Sequence, residues 1–248
     1  MTIQSQQDIE RLMKIGKIVA LTIKEMKGAI EPGMTTGQLD QIGLGMLSRY
    51  GAVSAPMKDA GFPAHTCISV NEEVAHGIPG DRVIQPGDLV NIDVSAELDG
   101  FYADAGESFQ IEPVKTEVDA LCRYTYATLM KVISGLKAGV KLNEVGRIIQ
   151  SEAKKGGYRV IEDLCSHGVG RSLHEEPLDI LPYYEPRDRR VLKSGQVITI
   201  EPFLSTGATY VVERADGWTL AVPDRSRVAQ HEHTIVITNN KPIIVTAC

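Results

Sequence analysis

Apolar residues recur every three or four positions along the first thirty residues of the chain. They form one stripe, in which Gly16 fills the single gap: Ile9, Leu12, Met13, Val19, Ala20, Ile23, Met26 and Ile30. Such spacing places all of them on one face of a helix. A long amphipathic helix is therefore predicted from Gln7 to about Ile30.

A second helix is predicted after a break in this pattern. Residues 31–52 read EPGMTTGQLDQIGLGMLSRYGA, in which a Pro-Gly pair ends the first helix and a Thr can cap the next. Gly51 follows the last periodic residue, as is typical of a helix end. The second helix should run from about Gly37 to Tyr50.

The second half of the chain repeats this order. Residues 116–136 predict a long helix, and residues 137–160 align with the earlier segment when Gly139 is placed on Gly33. The segments QPGDLVNIDV and KSGQVITIEP also match, and they pair Asp93 with Glu201. A repeat of this length predicts one domain, residues 1–248, built from halves of about 1–115 and 116–248. We expect strands of both halves in one sheet.

Short connections join the strand-rich segments, which predicts a mainly antiparallel sheet and an α+β fold. The Asp-Gly pair in ELDGFY is a strong hairpin signal. GVGRSL lacks the third glycine of a dinucleotide-binding loop, and the sequence has no GxxxxGK[ST] motif. The motifs therefore argue against a nucleotide site.

Composition and charge limit the classes of protein to which the chain can belong. The 248 residues are 43% hydrophobic and 23% charged, as in ordinary globular enzymes. No signal-like start or apolar run of about 18 residues is present, so we expect a cytoplasmic protein without a membrane span. The net charge of −6 argues against nucleic acid as a partner. The widely spaced Cys67, Cys122, Cys165 and Cys248 are expected to be reduced thiols.

Two carboxylates should meet across the predicted hairpin. If Asp99 and Gly100 form its two-residue turn, Leu98 pairs with Phe101, and Asp93 and Asp104 become diagonal neighbours on one face, about 7–8 Å apart. Carboxylates this close repel each other, and burial makes their charged forms costlier. Either a divalent cation lies between them or both are solvated acids on an edge hairpin.

Three further segments favour the cation. SHGVGRSLHEEP supplies His167 among glycine turns, while Glu201 and Glu232 interrupt strands that are otherwise apolar. Buried glutamates are rarely tolerated unless they are paired or bind a metal. The five candidate ligands offer mostly oxygen donors, which suit a pair of Mn, Fe, Co or Zn ions: Asp93, Asp104, His167, Glu201 and Glu232.

Five segments of the chain resemble those of the type I methionine aminopeptidases, enzymes with the pita-bread fold: AHGIPG, NIDVSAELDGFYADAGESF, SHGVGRSLHEEP, TIEP and QHEHTIVIT. The resemblance covers nearly the whole chain, and it implies the same five metal ligands. It further implies that a metal-bridging water attacks the substrate, that Glu201 shuttles protons, and that His76 and His174 contact the substrate. The implied reaction removes the initiator methionine from nascent proteins and peptides, preferentially when the second residue is small.

The resemblance also implies a methionine pocket formed by Phe62, Cys67, His76, Leu173 and Trp218. The chain departs from the family here, because KDAGFPAHTC replaces a Tyr-rich stretch and Leu173 stands where an aromatic residue is frequent. The expected partners are N-terminal Met peptides and nascent chains, the latter at the ribosome, and the protein is expected to be a monomer.

Two alternative functions share the fold. Prolidases and Xaa-Pro aminopeptidases normally carry a large additional N-terminal domain, whereas only about ninety residues precede Asp93, all within the first repeat. A non-catalytic binding protein would have lost its ligands, and all five are present. Only 30 residues separate Glu201 from Glu232, which leaves no room for the helical insertion of the type II enzymes.

Overall fold

The computed structural model describes residues 1–247. These residues form five helices: α1 (Gln6–Ala29), α2 (Thr36–Arg49), α3 (Ala55–Ala60), α4 (Thr116–Gly135) and α5 (Asn143–Gly156). The long helices begin and end within a residue or two of the predicted bounds. The predicted Thr cap is confirmed, since Thr35 and Gln38 form a reciprocal capping box at the start of α2.

The strands of the described residues are short, apart from one long hairpin. In the first half they are β1 (Val53–Ser54), β2 (Cys67–Val70), β3 (Glu73–Ala75), β4 (Leu89–Leu98) and β5 (Phe101–Gln110). In the second half they are β6 (Arg159–Val160), β7 (Ser166–Gly168), β8 (Glu175–Ile180), β9 (Val197–Ile200), β10 (Phe203–Ser205), β11 (Val212–Glu213), β12 (Leu220–Ala221), β13 (Val228–Gln230), β14 (His233–Val236) and β15 (Ile243–Ile244). The α+β class is confirmed.

The expectation of one sheet shared by both halves is wrong in detail. The strands pair antiparallel throughout, but they form four sheets, of which only β11-β12-β3 contains strands of both halves. The ladder between β5 and the second half is interrupted because side-chain hydroxyls replace backbone partners. The backbone N–H of Asp104 donates to the Thr234 hydroxyl at 2.9 Å, and that of Gln230 donates to the Ser108 hydroxyl at 2.9 Å.

The aligned glycines adopt matching conformations. Gly33 and Gly139 have φ of 96° and 88°, and Gly87 and Gly195 have φ of 83° and 82°. These values lie in the left-handed region that glycine enters without steric cost. The N–H of Gly33 donates to the carbonyl of Ile84, as that of Gly139 donates to the carbonyl of Leu192. The two segments therefore make the same turn by the same backbone hydrogen bonds.

Two apolar cores lie beneath the helices. The first is formed by α1 and α2 with β4 and β5, and the second by α4 and α5 with β9 and β14. Most of the predicted stripe in α1 is buried together with Gly16, but Ile9 and Met13 are half-buried, and the buried face also includes Ile15, Ile18 and Thr22. No helix within residues 1–247 is long and apolar enough to cross a membrane. Cys67, Cys122 and Cys165 are free thiols, whereas Cys248 lies outside the described residues.

The gap that Gly16 leaves in the stripe is occupied by the chain near its end. A Cβ at this position would overlap the carbonyl oxygen and Cγ1 of Val245, which is fully buried. We expect Gly16→Ala to lower the free energy of unfolding by about 1–3 kcal/mol, since overpacking a dense core forces backbone shifts.

Gly28, on the same helix, provides the matched control because nothing lies within 4 Å of its Cβ position. Gly28→Ala should stabilise the protein by up to about 1 kcal/mol through helix propensity. Urea denaturation of the two variants measures both effects. Equal stability changes would contradict the packing explanation for Gly16.

Candidate metal centre

The hairpin β4–β5 positions two of the predicted ligands. Its register pairs Leu98 with Phe101, so Asp93 lies opposite Gly106 and Ser95 lies opposite Asp104. Asp93 and Asp104 are diagonal neighbours on one face, as the turn assignment predicts. A Cβ at residue 106 would overlap the side-chain amide of Gln230, so a glycine at this position leaves room for that amide.

The second half brings the other three predicted ligands to the same place. Nε2 of His167 lies 3.5 Å from Oε1 of Glu201 and 3.9 Å from Oδ2 of Asp104. Ligand atoms of Asp104, His167 and Glu232 all lie within 4.8 Å of one another. Glu201 directly follows β9, and Glu232 lies between β13 and β14. The site is therefore assembled from segments far apart in the sequence.

Neighbouring polar side chains hold these ligands in place. The Thr199 hydroxyl donates to Oε1 of Glu201 at 3.0 Å, and the Gln230 amide donates to Oε2 of Glu232 at 3.0 Å. The side-chain carbonyl oxygen of Gln230 in turn accepts a hydrogen bond from the side-chain amide of Asn91 at 2.8 Å. Sequence reasoning missed these residues. Strand alternation was the available signal, because Thr199 and Gln230 each precede a ligand by two positions and so share its face.

Burial dominates the electrostatics of the group. It raises the pKa of Asp93, Glu201 and Glu232 well above their ordinary values, and the charges of neighbouring carboxylates add to the effect. Burial also raises the pKa of Asp104 to about 6 and lowers that of His167 to about 4. Without a cation the site therefore favours protonated carboxyl groups and a neutral imidazole.

Two carboxylate oxygens in the group are buried without a hydrogen-bond partner among the residues that the structure describes: Oδ1 of Asp104 and Oε1 of Glu232. Buried polar atoms are usually satisfied, and one left unsatisfied costs about 1–3 kcal/mol. A divalent cation would satisfy both oxygens and offset the repulsion. The donor set, mostly carboxylate with one imidazole, suits a transition metal.

The two other predicted site histidines flank the group. The ring of His174 lies 4.2 Å from that of His167, centroid to centroid. His76 has a φ of 54°, a left-handed conformation that is uncommon outside glycine and is found at strained functional sites. Burial lowers the pKa of both His76 and His174, so both imidazoles are neutral near pH 7.

The residues predicted to form the methionine pocket do not all lie in one cluster. Phe62, Cys67 and Trp218 pack together with Ile78, which sequence reasoning missed, and the rings of Phe62 and Trp218 meet edge to face at 5.2 Å. Cys67 lies opposite Asp93 in the sheet register, which places this cluster beside the carboxylates. Leu173 instead packs in the first core, and its role in the pocket stays a prediction.

Comparison with known proteins identifies the family. The model of metallopeptidase family M24 matches residues 10–239. The chain belongs to this family. It is 51% identical over 247 residues to methionine aminopeptidase 2 of Bacillus subtilis, covering 99% of both chains, and 38% identical to methionine aminopeptidase of Escherichia coli K12, covering 99% of this chain and 93% of that protein.

Solved structures show the same relationship for this M24 metallopeptidase. Methionine aminopeptidase from Thermotoga maritima superposes with a TM-score of 0.95 at 38% identity, and each chain is fully covered. The prolidase from Pyrococcus horikoshii OT3 superposes with a TM-score of 0.78 at 22% identity, covering 99% of this chain and 63% of that chain. The second likeness shows the fold alone, and the expected pita-bread fold is confirmed. Family membership and the buried group of Asp104, His167 and Glu232 together indicate that the chain uses a divalent metal.

Proposed function

We propose that this metallopeptidase removes N-terminal methionine from proteins and peptides, preferentially when the second residue is small. The observation that carries the proposal is the buried group of Asp104, His167 and Glu232, with unsatisfied oxygens, in a chain 51% identical to a methionine aminopeptidase. The proposed substrates are N-terminal Met peptides and nascent chains. The enzyme would act on them as a monomer in the cytoplasm, at or near the ribosome.

Five side chains would hold two divalent ions, namely Asp93, Asp104, His167, Glu201 and Glu232. Cobalt, manganese, iron and zinc all suit these donors. When bound, such ions would lower the pKa of a water molecule and polarise the scissile carbonyl. Balance of charge supports two ions, because four carboxylates around one divalent ion would leave excess negative charge.

The remaining chemistry belongs to the side chains. Glu201, which accepts a hydrogen bond from the Thr199 hydroxyl at 3.0 Å, would accept a proton from the attacking water and return it to the leaving amine. A neutral imidazole has one N–H donor and one acceptor nitrogen, so His174 would donate to the developing oxyanion and His76 would accept from the peptide N–H. Phe62, Cys67 and Trp218 would receive the methionine side chain, because an apolar and polarisable surface suits a thioether.

An assay with paired peptides tests the function. Purified protein stripped of metal and reloaded with each candidate ion in turn should cleave Met-Ala peptides and leave Xaa-Pro peptides intact. Variation of the second residue should show faster cleavage for Gly, Ala and Ser than for Leu or Lys. A preference for Xaa-Pro peptides would overturn the proposal in favour of a prolidase-like activity, and absence of bound metal would favour a non-catalytic protein.

A further inference from the structure

Asp59 is an acidic residue in the segment KDAGFPAHTC, which contains Phe62 and Cys67. It lies near the end of α3, and its side chain is exposed. One carboxylate oxygen accepts a hydrogen bond from the Tyr102 hydroxyl at 3.1 Å, and the other accepts from the backbone N–H of Leu173 at 3.3 Å. Contacts to both halves of the chain therefore fix the orientation of this carboxylate.

The strand pattern places Asp59 on the side of the sheet that carries the metal ligands. Tyr102 and Asp104 are two residues apart on β5, so their side chains share a face. Glu97 lies opposite Tyr102 in the register and bonds Lys58, the neighbour of Asp59, at 2.9 Å. Helix α3 thus lies over the metal-bearing face, about 7 Å along β5 from Asp104.

Asp59 forms no direct ion pair with a basic side chain within residues 1–247. Lys58 pairs with Glu97 instead, and its ammonium group lies 5.5 Å from the centroid of the Tyr102 ring. The carboxylate of Asp59 lies on the histidine side of the metal group, because it accepts a hydrogen bond from the backbone N–H of Leu173. The residue that Asp59 holds, Leu173, directly precedes His174. A fixed anion therefore lies beside the histidine that faces the metal group.

We propose that Asp59 is a specificity-determining residue that favours substrates with Lys or Arg at the third position. The inference rests on the proposed removal of N-terminal methionine. An extended peptide advances about 3.3 Å per residue, so its third residue lies about 7 Å from its first, the same step that separates Tyr102 from Asp104. A long cationic side chain at this point can reach the carboxylate of Asp59, whereas an acidic side chain is repelled.

The experiment compares kcat/KM for three peptides that differ only at the third residue: Met-Ala-Lys, Met-Ala-Gln and Met-Ala-Glu, each followed by the same neutral tail. At low ionic strength the wild-type enzyme should cleave the Lys peptide about threefold to tenfold faster than the Glu peptide. Asp59→Asn keeps the shape of the side chain and removes its charge. The ratio of kcat/KM for the Lys peptide to kcat/KM for the Glu peptide should therefore fall to near one in this variant. High salt should have the same effect on the wild type.

Asp99→Asn is the matched control. Asp99 is an exposed acid on the hairpin turn, 3.8 Å from Lys14, and its φ of 52° suits asparagine. This variant changes the net charge equally and should keep the wild-type ratio. Cleavage of the Gln peptide tests the proposed function separately, since its loss would overturn that function and say nothing of charge selection.

Three results would overturn the role of Asp59 while methionine removal stands: equal cleavage of the Lys and Glu peptides by the wild type, an unchanged ratio in Asp59→Asn, or an equal loss of the ratio in Asp99→Asn. If Asp59→Asn fails to fold, the wild-type salt titration decides. A preference that persists at high ionic strength would then contradict a screened charge interaction.

Discussion

Glu232→Gln should give a metal-free protein that is more stable than the wild-type apoprotein and yet about a thousandfold less active after metal is added back. The two effects have one cause. Burial and the charges of Asp104, Glu201 and Asp93 raise the pKa of Glu232 well above its ordinary value, so its carboxylate form destabilises the empty site. Glutamine keeps the shape and can accept the hydrogen bond from Gln230, but it removes one negative ligand.

The stability gain should be about 1–2 kcal/mol, which corresponds to a rise in Tm of about 2–8 °C for a domain of this size. Calorimetry at pH 8, after dialysis against a chelator, measures it. Adding metal should raise the Tm of the wild type and leave that of the variant nearly unchanged. Glu213→Gln, a change at an exposed residue of β11, should alter neither quantity. A lower Tm of the Glu232→Gln apoprotein would contradict carboxylate repulsion at this site.

The sequence was sufficient to predict the geometry of the hairpin. An Asp-Gly turn fixes the register by counting, and the observed pairing of Asp93 with Gly106 is the predicted one. The long helices follow from periodicity, and the repeated glycine turns follow from aligning Gly33 with Gly139. These features depend on neighbours close in sequence, where local sterics and period determine the outcome.

Features that depend on distant contacts could not be predicted in this way. The hydrogen bond from Asn91 to Gln230, which in turn bonds Glu232, joins residues 139 positions apart. Nothing in either local pattern indicates that the Gln230 amide fills the space above Gly106. The expected single sheet fails for a similar reason, because the Thr234 hydroxyl takes the place of a backbone carbonyl as the partner of the Asp104 N–H. Side-chain substitution of this kind has no periodic signature.

The same long-range packing determines how the empty site responds to pH. Burial raises the pKa of Asp104 to about 6 and raises those of Asp93, Glu201 and Glu232 well above their ordinary values. A carboxyl group with a raised pKa in the folded state stabilises the fold fully below its unfolded pKa of about 4, and this contribution is lost as pH rises through the folded pKa. The apoprotein should therefore be less stable at pH 8 than at pH 6, as thermal unfolding in a chelator can show.

Metal binding should have the opposite pH dependence, because the ions must displace those protons. We expect affinity to fall at least about tenfold for each pH unit between pH 7.5 and pH 6, which corresponds to about one proton released per ion. The pKa of His167 is lowered to about 4 by burial, so this imidazole is already neutral over that range and contributes no proton. The carboxylates alone should produce the slope.

Calorimetric titration in two buffers of different ionisation enthalpy counts the released protons directly. Wild-type protein should release them at pH 6.5, and Glu201→Gln, which removes one of the raised carboxyl groups, should release fewer for each ion that still binds. Binding without proton release would mean that the four carboxylates are ionised in the empty site, contrary to the effect of burial on their pKa.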